Sequence, residues 1–337
     1  MYKLKEKVEN IKSFAIDNRG KLLVSCDFKV RDYYSNKTLL ESREDLLEIY
    51  FSRSNFYINS IYGKGIYFDN NLNPIEKDSH INFIDYPYII TSKRKNEKKN
   101  TFIIDEEKRI EIELENYSTI FFISNGKYFR NNFEENSIEV FSFPQGQKIL
   151  TYSLPNNLKQ LKFIDLLGDQ LFVGFNNINI LILDVCSGKL LNDYRILETY
   201  PDLSDYLEDN VAVSYSINEE KNILVVLTRV ALFHIDLFEN QILLIKDFIN
   251  LPKEDRWEFK SASIKDDKIY FTGDYGGQYV FATRAGIMSI ETGEILWQEQ
   301  LKDTGGLPNA PQVTDDKLYV LSVNKQLYIF QKEETIS

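Results

Sequence analysis

The sequence predicts an all-β fold, a single closed β-propeller of four-stranded blades spanning residues 1–337. Eight blades is the expected number, with seven as the alternative if the second or third blade is misread. Three observations carry this. Seven tight polar turns recur at Ser35-Asn36, Asn70-Asn71, Glu106-Glu107, Gln145-Gly146, Ser187-Gly188, Glu239-Asn240 and Thr292-Gly293. Their centres lie roughly 35 to 53 residues apart, the spacing of propeller blades. The flanking runs alternate apolar and polar residues, or are rich in β-branched and aromatic side chains, as half-buried and fully buried strands are. An unpaired strand pattern also remains at each end of the chain.

The blades follow in order. The first takes residues 11–16, 21–25, 28–33 and 38–41. The second takes 46–52, 56–60, 65–69 and 74–77, and the third 81–84, 88–92, 101–105 and 109–114. The fourth takes 119–124, 127–130, 138–143 and 148–153, and the fifth 158–165, 170–174, 178–184 and 189–194. The sixth takes 211–217, 223–227, 231–236 and 241–246, and the seventh 260–264, 268–272, 286–291 and 294–298. Residues 312–314, 317–322 and 326–331 make three strands of an eighth. Its missing strand is Tyr2–Val8, where Tyr2, Leu4 and Val8 alternate with Lys3, Lys5 and Lys7; closing the ring this way removes an exposed edge. Residues 197–207 fit a short helix.

Composition narrows the class. The net charge of −11 argues against the phosphate-neutralising surface of a nucleic-acid binder and favours solubility or a basic partner. No stretch approaches the roughly 18 apolar residues of a membrane span. Charges stand near the N-terminus where a signal peptide needs an apolar run, so the expected location is the cytoplasm. Cys26 and Cys186 are too far apart to form a metal or redox motif and are expected as reduced, half-buried thiols.

The segment Gly286-Ile287-Met288-Ser289-Ile290-Glu291-Thr292-Gly293-Glu294-Ile295-Leu296-Trp297 resembles the repeat of pyrroloquinoline-quinone-like propellers. Leu183-Asp184-Val185-Cys186-Ser187-Gly188-Lys189 is a second copy without the Trp. The sequence Asp-Asp-Lys followed by Ile-Tyr or Leu-Tyr at 266–270 and 315–319 matches the turn and second strand of such repeats. The resemblance is one of fold, to the wider superfamily that includes WD-repeat-like propellers, whose Gly-His and Trp-Asp marks are absent here. It implies that Trp297 packs between neighbouring blades. Quinone-dependent members also imply a secretory signal, adjacent cysteines and a calcium site; this chain has neither of the first two, so no cofactor is expected.

No catalytic signature appears. The two histidines, His80 and His234, sit in strand patterns among apolar residues and read as packed side chains. Asp17-Asn18-Arg19-Gly20 reads as a turn. No phosphate loop, nucleophile elbow or calcium loop is present. Two carboxylates gathered at the propeller axis would leave no linear motif, so a glycoside hydrolase or lyase stays open as the alternative.

Loop length says more. In a four-stranded blade the turn between strands two and three and the link to the next blade emerge on one face. That face receives the long segments 93–100, 195–210, 248–257, 273–284 and 300–311, four of them in the last four blades, and long loops in an economical repeat carry function. The basic run at 93–99 reads as a solvated loop tip. The candidate partner-binding residues are Asp202, Asp205, Tyr206, Arg256, Trp257, Asp274, Tyr275, Tyr279 and Arg284. Trp, Tyr and Arg are the usual interface anchors, and the acids steer a basic partner. The expectation is a cytoplasmic, non-enzymatic propeller that binds another protein, such as an immunity protein occluding a basic toxin domain. A scaffold subunit of a larger assembly is a third reading.

Overall fold

A computed structural model describes residues 1–95, 98–114, 120–155, 158–252, 256–275 and 282–333. It is a ring of eight four-stranded antiparallel sheets. Blades 1 to 7 span residues 13–41, 46–77, 80–114, 121–153, 162–195, 214–247 and 257–300. Blade 8 pairs Gln312–Val313, Lys317–Leu321 and Leu327–Lys332 with Tyr2–Val8 on its outer edge, the closure the sequence predicts, although Leu4 is exposed there and the register shifts between Leu4 and Glu6.

Period-two strands bury both faces here because each sheet packs against two neighbours. Eight clusters of buried apolar side chains result among the described residues, one at each seam between blades. The seam closing the ring holds Phe14, Leu22 and Val24 of blade 1 against Tyr319, Leu327 and Ile329 of blade 8. The Tyr34 and Tyr319 hydroxyls share a hydrogen bond of 2.8 Å across it. Trp297 of blade 7 packs on Phe330 of blade 8 with ring centroids 5.1 Å apart, the between-blade position that the resemblance implies.

The turn between the third and fourth strands is built on an acceptor side chain. Asp32, Asp69, Asp184 and Asp236 each accept backbone N–H bonds from residues two to four positions on. Carboxylates at these points satisfy turn donors that no strand reaches. The left-handed residue falls where the sequence places it at Asn36, Gly146, Gly188, Asn240 and Gly293. In blades 2 and 3 it falls later, at Leu72 and Arg109, with φ of 62° and 56°. Side-chain type does not foretell that, since neither residue favours the conformation.

The expected short helix at 197–207 is three short turns, Ile196–Thr199, Pro201–Leu203 and Ser204–Leu207. Of the basic segment at 93–99, expected as a loop, residues 93–95 and 98–99 instead belong to the paired strands Tyr88–Lys95 and Lys98–Asp105, with Lys93 opposite Asn100 and Lys95 opposite Lys98, while 96–97 lie outside the described residues. Cys26 is half-buried, whereas Cys186 is exposed. No helix among the described residues is long and apolar enough to cross a membrane.

Candidate interaction face

The face bearing the second-to-third turns and the inter-blade links carries three features of interest. The first is the link from blade 5 to blade 6. Ile196, Leu203 and Leu207 plunge into the seam between those blades, among Phe172, Val226 and Phe233. The Tyr200 hydroxyl donates to the Ile242 carbonyl and accepts from the Leu244 N–H, both at 3.1 Å. Asn177 accepts the Asp209 N–H at 2.7 Å, and Ile178 donates to the Asn210 carbonyl, which pins the end of the link to a turn of blade 5. The apolar residues being used inward, the carboxylates of Asp202, Asp205, Glu208 and Asp209 are left exposed. None of these four carboxylates has an ion-pair partner among the described residues. Tyr206 stands among them, 47% exposed.

The second feature is the end of blade 7. Its inner strand, Trp257–Lys265, starts three residues earlier than the alternation suggests. Trp257 is only 4% exposed, packed against Phe259, Phe271 and Tyr275. Asp274 is 5% exposed; its carboxylate accepts the Tyr275 N–H and the Thr283 hydroxyl. The structure thus corrects the expectation for these two: Trp257 already fills a seam, and Asp274 ties down the strand end, so neither is free to meet a partner. The reason is that period-two alternation cannot separate a rim position from a between-blade one.

Tyr275 and Arg284 do come together. The Arg284 guanidinium lies 4.4 Å from the Tyr275 ring centroid. Arg284 also donates to the side-chain oxygens of Gln298 and Gln300, and the Tyr275 hydroxyl donates to Gln298 at 2.8 Å. Arg256 is exposed and donates to the Leu251 carbonyl. Tyr279 lies outside the described residues.

The third feature goes beyond what the loop lengths suggest. Apolar side chains tip several of the short turns on this face: Phe28 in blade 1, Ile61 and Tyr62 in blade 2, Phe133 in blade 4 and Val323 in blade 8, with Tyr62 74% exposed. The sequence does carry a signal for them, since an aromatic or aliphatic residue in a tight turn, where Asn or Gly is usual, gains nothing for the fold.

The first strands of blades 7, 8, 1 and 2, with residues 308–311 and 321–325, line a half-open cavity of about 700 Å³ whose walls include Phe14, Tyr50, Val313, Lys12, Lys265 and Lys325. Among the described residues Glu48 is the single carboxylate in that lining, and it accepts the Tyr50 hydroxyl at 2.9 Å. Glycoside hydrolysis of the usual kind needs two acids flanking the bond. His80 and His234 are held below the ordinary imidazole pKa by burial, and His234 contacts the Ile290 carbonyl across the seam with blade 7. Among the described residues no group of three His, Cys, Asp or Glu side chains is arranged to hold a metal.

No family model matches the chain, and no curated protein matches it. Solved structures do. The chain is similar to the C-terminal WD40 domain of Sif2, at 10% identity over 99% of each chain with a TM-score of 0.71. It is similar to BamB from Moraxella catarrhalis, at 10% identity over 98% of this chain and 100% of that one, TM-score 0.64. The computationally designed Ika8 protein also superposes, at 10% identity over 97% of this chain and 98% of that one, TM-score 0.65. At such identities the likeness is one of fold. It extends to WD40-type propellers and BamB alike, so the resemblance read from the Thr292-Gly293 repeat holds at the level of the propeller.

Proposed function

We propose that this chain is a non-catalytic, protein-binding propeller that works in the cytoplasm and captures its partner on the face carrying the blade 5–6 link. One observation carries the reading. Asp202, Asp205, Glu208 and Asp209 flank a half-exposed Tyr206 along a segment anchored by Ile196, Leu203, Leu207 and Asn177. A rigid aromatic set in unpaired charge, already ordered before binding, keeps the entropic cost of docking low and draws in a basic partner. The propeller likenesses support an interaction role in a general way. The narrower form of the proposal is an immunity function, with this face occluding a basic toxin domain.

Affinity capture from the native cell tests it. The wild-type chain should retain a discrete basic protein that the triple variant Asp202→Asn, Asp205→Asn, Tyr206→Ala loses, while Phe238→Ala, at a turn on the opposite face, retains it. Equal retention by the triple variant would remove the link from the interface.

A further inference from the structure

Beside the same link lies an open-mouthed cavity of about 340 Å³ whose walls come from four segments. Pro155 and Leu158 lead into blade 5, Asn177 and Asn179 belong to a turn and strand start of that blade, and Asp193 and Arg195 end its outer strand. Leu197, Glu198, Ser204 and Glu208 close it from the link. That volume is at the low end for ligand pockets, room for one long side chain and small for a cofactor.

The lining is divided in kind. Leu158, Leu197 and Pro155 supply apolar wall, and Asn177, Asn179 and Ser204 supply neutral dipoles. Three carboxylates, Asp193, Glu198 and Glu208, face one guanidinium. Arg195 is spoken for: it donates to Asp193 at 3.0 Å and to Glu198 at 2.8 Å, and those two carboxylates, Glu198 foremost, hold it firmly protonated. The Glu208 carboxylate has no hydrogen-bond or ion-pair partner among the described residues. An apolar wall leading to an unpaired carboxylate complements a lysine or arginine side chain, whose aliphatic stem packs while its cation pairs.

We infer that this cavity receives a single basic side chain, lysine or arginine, from the bound partner, with Glu208 as the pairing carboxylate. This rests on the proposal that the blade 5–6 link is the docking site, and it names the feature of the partner read there. The fixed contacts of Arg195 with Asp193 and Glu198 keep one wall in place, and Asn179 adds a side-chain amide to the lining.

The test uses the whole chain, ¹⁵N-labelled, titrated with N-acetyl-arginine methylamide and, separately, with N-acetyl-leucine methylamide. Saturable amide shifts at Asn177, Asn179, Ser204 and Glu208 are expected with the arginine probe and not with the leucine probe. Glu208→Gln should weaken the arginine probe by about fivefold or more, the loss of one charge-assisted hydrogen bond, while Asp202→Asn with Asp205→Asn stays within about twofold. Absence of saturable shifts, or equal weakening in both variants, overturns the pocket. Because the probe needs no partner, the titration is independent of the capture experiment: failed capture with a positive titration sinks the docking reading and leaves the pocket, and the reverse sinks the pocket alone.

Discussion

The indole nitrogen of Trp297 donates to the carbonyl of Tyr2 at 3.0 Å, and the two rings lie 5.8 Å apart. One side chain in the outer strand of blade 7 therefore grips the strand that completes blade 8. Trp297→Phe keeps most of the ring packing and removes the donor, so a loss of about 1 kcal/mol is expected in chemical denaturation. Trp297→Ala also removes the contact with Phe330 and should cost about 3 kcal/mol. If the two variants unfold at the same midpoint, the indole hydrogen bond is not a fastener.

Gly286 sits directly beneath Phe271, where an added Cβ would run into the ring. Phe271 is fully buried and wedged against Trp257 and Phe259, so it has little room to yield. Gly286→Ala should therefore lower stability by about 1–3 kcal/mol. Gly168→Ala, which meets nothing but has a positive φ, serves as the comparison in which backbone strain alone is felt. Denaturant midpoints for the pair separate crowding from strain.

Arg109 and Leu72 share a left-handed conformation that suits glycine better. Arg109 is exposed, so Arg109→Gly should raise stability by about 0.5–1 kcal/mol, the relief of strain outweighing the greater freedom of glycine in the unfolded chain. Leu72 packs on the seam of blades 1 and 2, and Leu72→Gly should lose about 1 kcal/mol or more of burial instead. Melting temperatures that move in opposite directions would bear this out; a parallel shift would contradict it.

Acid should act in two stages. Burial lowers the pKa of His80 and His234 beneath the ordinary value near 6.5, so the unfolded chain takes up protons first. The histidine share of stability is therefore full above about pH 6.5 and drains as pH falls through the folded pKa values. Glu139 and Glu258 follow at lower pH. Burial opposes their ionisation, but Lys148 with Arg130, and Lys260 with Arg229, outweigh it and hold both carboxyls below the usual range. Their contribution is present above about pH 4.5 and is lost as they protonate. In His234→Gln the decline between about pH 7 and 5.5 should flatten, read as the denaturant midpoint at each pH; an unchanged slope would acquit the imidazole.

The blades were legible because this fold writes itself locally. A carboxylate such as Asp184 or Asp236, a turn residue such as Gly188 or Asn240, and flanking alternation suffice to mark each hairpin, and the surplus strands at the two ends must then pair. Eight was legible for that reason. The candidate interaction face was legible only in outline. Tyr206, on the helical turn Ser204–Leu207, is half-exposed, whereas Trp257, at the start of a strand, fills a seam, which alternation does not foretell because seams lie on both sides of every sheet. The depth of Asp274 follows from a hydrogen bond to Thr283, nine positions away across a long connection, which no pattern of period two encodes. The cavity lined by Glu208 is formed by four segments that meet only after blade 5 is built.

The pairing of Tyr2–Val8 with Leu327–Lys332 has a temporal side. On the ribosome the first strand emerges more than three hundred residues before its neighbour exists. Through most of synthesis the nascent protein is an open arc, its leading edge unmatched and its last seam unfilled, and only release of the C-terminal strands lets the circle lock. A chain cut short anywhere before Leu327 would therefore leave the Tyr2–Val8 strand without the partner it pairs with in the finished ring.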